Sequence, residues 1–205
     1  MASVISICNL ALSNIGAANI SSLTEASAEA RACNQFYEQT RDTFLQSFDW
    51  KIAGRTAALA EVVNDKPGRW SHAYRLPSDC LKVRTIRPNY DPEGIGYVSI
   101  KSGLDEIKAT AAYEIEGQTL YTNLGTALLF YTYRLTDPSK LSPLMVEALA
   151  WNLAVPLAMP ITKDAKVRAD AKNIAQVETA AASAADVGQA VGSSSFTSSF
   201  IEARD

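Results

Sequence analysis

Tyr113-Glu114-Ile115-Glu116-Gly117-Gln118-Thr119-Leu120-Tyr121-Thr122 decides the fold class. Two short runs containing aromatic and β-branched residues flank Gly117-Gln118, which is the signature of a hairpin turn. On its N-terminal side, His72-Ala73-Tyr74-Arg75-Leu76-Pro77 reads as a short strand closed by proline. Residues 81–86 alternate Leu81, Val83 and Thr85 with Lys82, Arg84 and Ile86, and Tyr97 to Lys101 sets Val98 and Ile100 on one face. On its C-terminal side, Leu128 to Leu135 is a last, aromatic-rich strand. Short strands punctuated by Gly, Pro, Asn and Asp predict a small antiparallel sandwich or barrel.

Outside this region the hydrophobic period changes to that of helices. Residues 3–15 place Val4, Ile7, Cys8, Ala11, Leu12 and Ile15 on one stripe, stopped by Gly16. Ser22-Leu23-Thr24-Glu25 has the form of a capping box and predicts a helix from there to about Phe48. That helix carries Cys33, Phe36, Tyr37, Phe44, Leu45 and Phe48 at spacings of three and four. Trp50 and Ile52 to Leu59 suggest a further helical piece, ending at the loop Asn64-Asp65-Lys66-Pro67-Gly68. Beyond the strands, Ser142-Pro143 is an N-cap and first-turn pair. The helix it opens runs through Leu149, Trp151 and Leu153, with a kink expected at Pro156 and an end at Pro160 to Thr162. Residues 163–187 form an alanine-rich helical pattern with a stripe of Val167, Ala171, Ile174, Val177, Ala181 and Ala184. So narrow a stripe buries little apolar area and calls for a neighbouring surface, such as another subunit.

The expected architecture is therefore α+β. N- and C-terminal segments make a helical bundle, a small antiparallel β-sandwich or barrel is inserted between them, and an extended tail closes the chain. The boundaries read as 1–66 for the first helical part, 67–137 for the β-domain, 138–187 for the completing helices and 188–205 for the Ser- and Gly-rich tail.

The chain has 205 residues, 47% of them apolar and 20% charged, which excludes wholesale disorder. Its formal charge of −3 disfavours a protein that grips nucleic acid through phosphates. The middle segment is richest in Lys and Arg, but acids match them, as on a solvated sheet face. No run of about 20 apolar residues is evident, so no membrane contact is expected. The first residues lack the basic stretch and cleavage site of a secretory signal. The three cysteines, Cys8, Cys33 and Cys80, suit neither a disulfide framework nor a zinc site, which points to a reducing cytoplasm.

Candidate chemistry is sparse. His72 is the lone histidine, with Ser71 beside it and Asp79 nearby in sequence, but adjacency does not supply the convergence a Ser-His-Asp site needs. Cys8 and Cys33 read as core residues, and Cys80, in a loop, is the one to test for reactivity. Gly94-Ile95-Gly96 is a turn without a phosphate-binding helix after it. Glu114 and Glu116 share a strand face at about 7 Å, a spacing that mimics an acid/base pair, while exposed alternation explains them more simply. Trp50 and Trp70 read as core or interface anchors. No catalytic, cofactor-binding or metal-ligating set emerges, and no cofactor is expected.

Four ordered blocks, Ser6 to Leu59, Trp70 to Ile86, Tyr113 to Asn123 and Leu128 to Thr162, together with the closing Phe200-Ile201-Glu202-Ala203-Arg204, resemble bacteriophage head-to-tail adaptors of the tail tubular protein A group. The resemblance covers most of the chain in the right order. It implies a structural, non-enzymatic virion protein of the particle neck, assembled in the host cytoplasm as a ring, usually of twelve copies. Its partners would be the portal above and a tail tube or nozzle protein below, with double-stranded DNA passing through without sequence-specific contacts. It also implies that the C-terminal tail docks against the portal or a neighbouring subunit. Phe196, Phe200 and Ile201 would be the anchors, with Arg204 beside them.

Two other readings compete. One is a virion-associated cell-wall hydrolase using a carboxylate pair, Glu114 with Glu116 or Asp105 with Glu106. The other is a ligand-binding module built on the β-domain.

Overall fold

The computed structural model describes residues 2–88 and 111–188, and the fold is α+β. Its helices are α1 (Val4–Asn14), α2 (Ala28–Ser47), α3 (Pro143–Thr162) and α4 (Ala165–Gly188). The strands are β1 (Gly54–Ala58), β2 (Ala60–Val62), β3 (His72–Arg75), β4 (Cys80–Pro88), β5 (Tyr113–Glu116), β6 (Thr119–Thr122) and β7 (Ala127–Tyr133). The chain divides into two compact units, Met1–Phe44 with Asp137–Asp205, and Leu45–Thr136. The strand expected at Tyr97 to Lys101, the Gly94-Ile95-Gly96 turn and the tail lie outside the described residues.

In the helical unit, the Ser3 hydroxyl accepts from Ser6 N (3.0 Å) and the Ser6 hydroxyl accepts from Ser3 N (2.8 Å), capping α1. Ile7, Cys8, Ala11 and Leu12 are then wholly buried on one stripe, which packs against α3. Asn9 holds the following loop by donating to Ile20 O (2.9 Å) and accepting from Ile20 N (2.8 Å).

Ser22 does not open α2. Glu25 does reach back to Ser21 N (2.9 Å) and Ser22 N (3.4 Å), but it closes a turn of its own. The helix starts later, with the Ser27 hydroxyl accepting from Ala30 N (3.1 Å). The acceptor nearest the first free amides wins the cap.

At α3 the Ser142 hydroxyl accepts from Met145 N (3.3 Å) and Pro143 occupies the first turn, where its missing N–H costs nothing. The helix continues through Pro156 and Pro160 to Thr162. By length and composition alone α3 is apolar enough to cross a membrane, contrary to the expectation that no such run exists. Here Met145, Ala148, Leu149, Leu153, Ala154, Leu157 and Ala158 are core residues of the helical unit. Lys163, in the left-handed region at φ 56°, ends α3, and Asp164 Oδ1 caps α4 by accepting from Lys166 N (2.7 Å).

α4 packs on α3 of its own chain. Its buried residues are Ala171, Ala175 and Ala182, whereas Val177 is 65% exposed and Ala181 and Ala184 also face out. The expected stripe therefore drifts off the buried face after Ile174. In an alanine-rich helix several stripes are nearly equivalent in size, and polar contacts choose between them. Asn152 Nδ2 of α3 donates to Thr179 Oγ1 (2.9 Å) and fixes the choice.

Among the described residues the β-unit holds two antiparallel sheets, ordered β1-β7-β4 and β2-β3-β6-β5. The consecutive pairs β1/β2, β3/β4 and β6/β7 each pass from one sheet to the other, as in sheets joined at corners. The helix expected at 52–59 is replaced by a short 3₁₀ turn (Lys51–Ala53) and then β1 and β2. Alanine favours helix only weakly, and pairing of Gly54–Ala58 with Leu128–Thr132 overrides it. Gly54 admits the Arg84 guanidinium, since a Cβ there would stand 3.1 Å from Arg84 Nη1.

Alternation in β4 also fails as first read. The register against β7 slips between Cys80 and Lys82 and again between Val83 and Thr85. Each slip moves later side chains to the opposite face. Val83 opposes Tyr131 and Ile86 opposes Leu129, so Ile86 is wholly buried instead of lying with Lys82 and Arg84. The β5–β6 hairpin turns at Gly117, φ 57°, as the sequence predicts.

Candidate functional site

The carboxylate pair of β5 is the strongest site candidate within the described residues. Glu114 and Glu116 share a face of β5, the outermost strand of its sheet among the described residues, and the loop of residues 64–70 folds onto them. The loop organises itself first: Asn64 Nδ2 donates to Trp70 O (2.6 Å) and Asn64 Oδ1 accepts from Lys66 N (2.9 Å). Lys66 then bridges the pair, with Nζ 3.0 Å from Glu114 Oε1 and also in contact with Glu116 Oε2. Trp70 Nε1 donates to Glu114 Oε2 (3.0 Å), and Arg69 Nη2 lies 3.1 Å from the same oxygen. Beneath them Tyr121 donates to Asp65 Oδ1 (2.7 Å), with the Lys66 ammonium 4.7 Å from its ring centre.

The electrostatics follow from these contacts. The Trp70 hydrogen bond and then the Lys66 ammonium hold the Glu114 carboxyl below its ordinary range, and the two carboxylates push Lys66 up. Glu114 is thus a fixed anion with both oxygens occupied. A glycosidase-type acid must instead keep its proton near neutrality. This constellation fastens a loop to a sheet edge. The other pair, Asp105 and Glu106, lies outside the described residues.

Ser71, His72 and Asp79 do not converge. Ser71 Oγ donates to Asn123 Oδ1 (3.2 Å), His72 Nδ1 pairs with Glu61 Oε1 (2.7 Å), and Asp79 belongs to another cluster. There Arg55 Nη1 meets Asp79 Oδ2 at 2.7 Å, the Tyr131 hydroxyl donates to Asp79 Oδ1 (3.1 Å), and the Arg55 guanidinium lies 3.7 Å over the Tyr133 ring. The basic residues of β4 are likewise engaged. Lys82 Nζ pairs with Asp49 Oδ1 (2.9 Å), while Arg84 donates to Thr132 Oγ1 (2.9 Å) and Trp50 O (2.6 Å). Trp50 itself is wholly buried, an anchor rather than a stacking platform.

Cys80 begins strand β4 and is not in a loop. Burial and the neighbouring Asp79 push its thiol up to about 11, which opposes the reactivity expected of it. Cys8 and Cys33 are both wholly buried, as the stripes predict. Their mutual influence escapes sequence reasoning: the neighbouring Cys33 and then burial push the Cys8 thiol up, while Cys8 lowers that of Cys33 against its own desolvation. The signal for it in the sequence is that each falls on the apolar stripe of its own helix. One turn beyond Cys33, the buried Tyr37 hydroxyl has no hydrogen-bond partner among the described residues, and desolvation pushes it up to about 12.

Among the described residues, no group of three or more His, Cys, Asp or Glu side chains is placed to hold a metal ion. The proposed anchors Phe196, Phe200, Ile201 and Arg204 lie outside the described residues. Comparison with protein-family models gives no match to this chain, and no curated protein matches it.

Proposed function

We propose that this protein is a structural head-to-tail adaptor of a bacteriophage particle, a ring-forming subunit that joins the portal to the tail around the DNA conduit. The observation that carries the reading is the arrangement of the chain: both ends build a helical unit and the middle supplies a β-unit. That arrangement accompanies the four ordered sequence blocks of the adaptor resemblance. The occupied state of Glu114, Asp79 and His72 adds support, because each holds structure together.

On this reading the segment after Gly188 docks on the portal or a neighbouring subunit through Phe196, Phe200 and Ile201, with Arg204 flanking. The test is capture of the full chain by the portal protein of the same particle, followed by imaging of the complex. A ring seated on the portal is expected. Absence of any association sinks the adaptor reading. A chain ending at Gly188 is expected to lose capture, and undiminished capture removes the docking role of the tail alone.

A further inference from the structure

We propose that α3 of one copy and α4 of a second copy pack side by side and in parallel, with Glu147 of the first against Lys172 of the second. This names the subunit contact of the adaptor reading and rests on that reading for its ring, while the pairwise contact is tested separately. Helix α3 is apolar on every side, and Glu147 is the one charge in residues 141–162. A helix of that kind is normally enclosed, yet only 44% of its most apolar 18-residue window is buried. Its outward stripe is Leu144, Trp151, Val155 and Met159, with Leu144 46% and Met159 39% exposed. Helix α4 turns a second apolar stripe outward, Val177, Ala180 and Ala184, with Val177 65% exposed. Large side chains on one helix and mostly alanine on the other suit ridge-into-groove packing.

Charge selects the partner and the direction. Glu147 Oε1 accepts from Trp151 Nε1 (3.1 Å), which leaves Oε2 without a partner among the described residues. Lys163, Lys166, Arg168 and Lys172 are exposed around the start of α4, and their side chains have no acidic partner among the described residues. Residues 173–188 carry no Lys or Arg and two acids, Glu178 and Asp186. A parallel pairing therefore sets Glu147 against the basic half of α4, whereas an antiparallel one sets it against the acidic half. The spans match as well: Glu147 to Met159 and Lys172 to Ala184 each cover about 18 Å. Val155 then falls beside Ala180, and Trp151 beside the turn that carries Val177. Within one chain the same two residues do not meet. The bond from Asn152 to Thr179 (2.9 Å) fixes the α3–α4 hairpin and leaves Glu147 and Lys172 about 18 Å apart along the helix axes. Because each copy offers α3 on one side and α4 on the other, the contact is heterologous, the kind that closes into rings.

The test mixes full-length protein of natural isotope content with the same chain labelled with nitrogen-15 and treats it with a water-soluble carbodiimide, which joins a carboxylate to an amine in direct contact. Two samples are mapped by peptide mass: the free protein at its highest soluble concentration, and the protein captured on the portal. The expected product is an amide between Glu147 of one isotope form and Lys172 of the other, in at least one sample. Ala180→Arg, a change on the exposed face that circular dichroism should show to be folded, is expected to abolish the link. Glu147→Lys should lose it, and Glu147→Lys with Lys172→Glu should regain it with carboxylate and amine exchanged. Absence of the link from both samples overturns the proposal, as does a link that persists in Ala180→Arg. Co-sedimentation with phosphatidylglycerol vesicles that Met159→Glu abolishes assigns the α3 stripe to lipid and overturns it too. A ring on the portal without the link sinks this contact and spares the adaptor reading. The link in free protein that no portal captures does the reverse.

Discussion

Trp70 Nε1 donates to Glu114 Oε2 across 3.0 Å, joining two residues 44 positions apart in the chain. The bond makes an indole the reporter of a carboxylate's charge. Glu114 is held below the ordinary carboxylate range in the folded state, so its contribution to stability is fully present above that range. It is lost as pH falls through the depressed folded value. Thermal unfolding of the β-unit, followed by Trp70 emission, should therefore weaken on acidification in the native protein. Glu114→Gln should remove part of that acid dependence and lower the midpoint at neutral pH. An unchanged pH profile in the variant refutes the clamp.

The bulged register of β4 has a direct consequence at Ile86. Its side chain is wholly buried opposite Leu129. Ile86→Ala should cost about 2–5 kcal/mol in denaturant unfolding. Ile86→Lys should prevent the β-unit from folding, as judged by circular dichroism. Strict alternation would leave residue 86 beside Lys82 and Arg84 and make both changes mild.

Thr132 is wholly buried and accepts from Arg84 Nε at 2.9 Å. Thr132→Val keeps the shape and removes this acceptor, so a loss of about 1–3 kcal/mol is expected. Equilibrium unfolding of the two proteins checks it. Equal stability would mean that the other contacts of Arg84 satisfy the guanidinium.

Lys163 carries a side chain at φ 56°, a conformation glycine adopts freely. Lys163→Gly should stabilise the helical unit by up to about 1 kcal/mol, the strain of a left-handed L-residue. A lower unfolding midpoint would contradict this and assign the Lys163 side chain a role of its own.

Local rules are enough for much of the fold. Ser142-Pro143 caps a helix wherever it stands, and Gly117 suits the left-handed turn of a hairpin. The stripe of α1 is equally readable, because large apolar residues leave one possible buried face. Residues 54–62 are illegible for the opposite reason: their alanines are content in a helix, and only β7 and β3, encoded further on, make them strands. In α4 the same degeneracy hides the buried stripe until Asn152 selects Thr179. At the candidate site, the spacing of Glu114 and Glu116 is visible in the sequence, but Lys66 and Trp70 are contributed by a distant loop. Without those partners, a pair of clamps looks like a pair of acids.

The helical unit draws α1 and α2 from the start of the chain and α3 and α4 from its end. A ribosome makes the chain in order, so Ile7, Cys8 and Leu12 must wait for Leu149 and Leu153 while every strand between them is synthesised. The β-unit, finished by Thr136, is free to fold first. During that interval the apolar face of the first helix is uncovered, and translation speed through residues 54–136 sets how long a chaperone has to shield it.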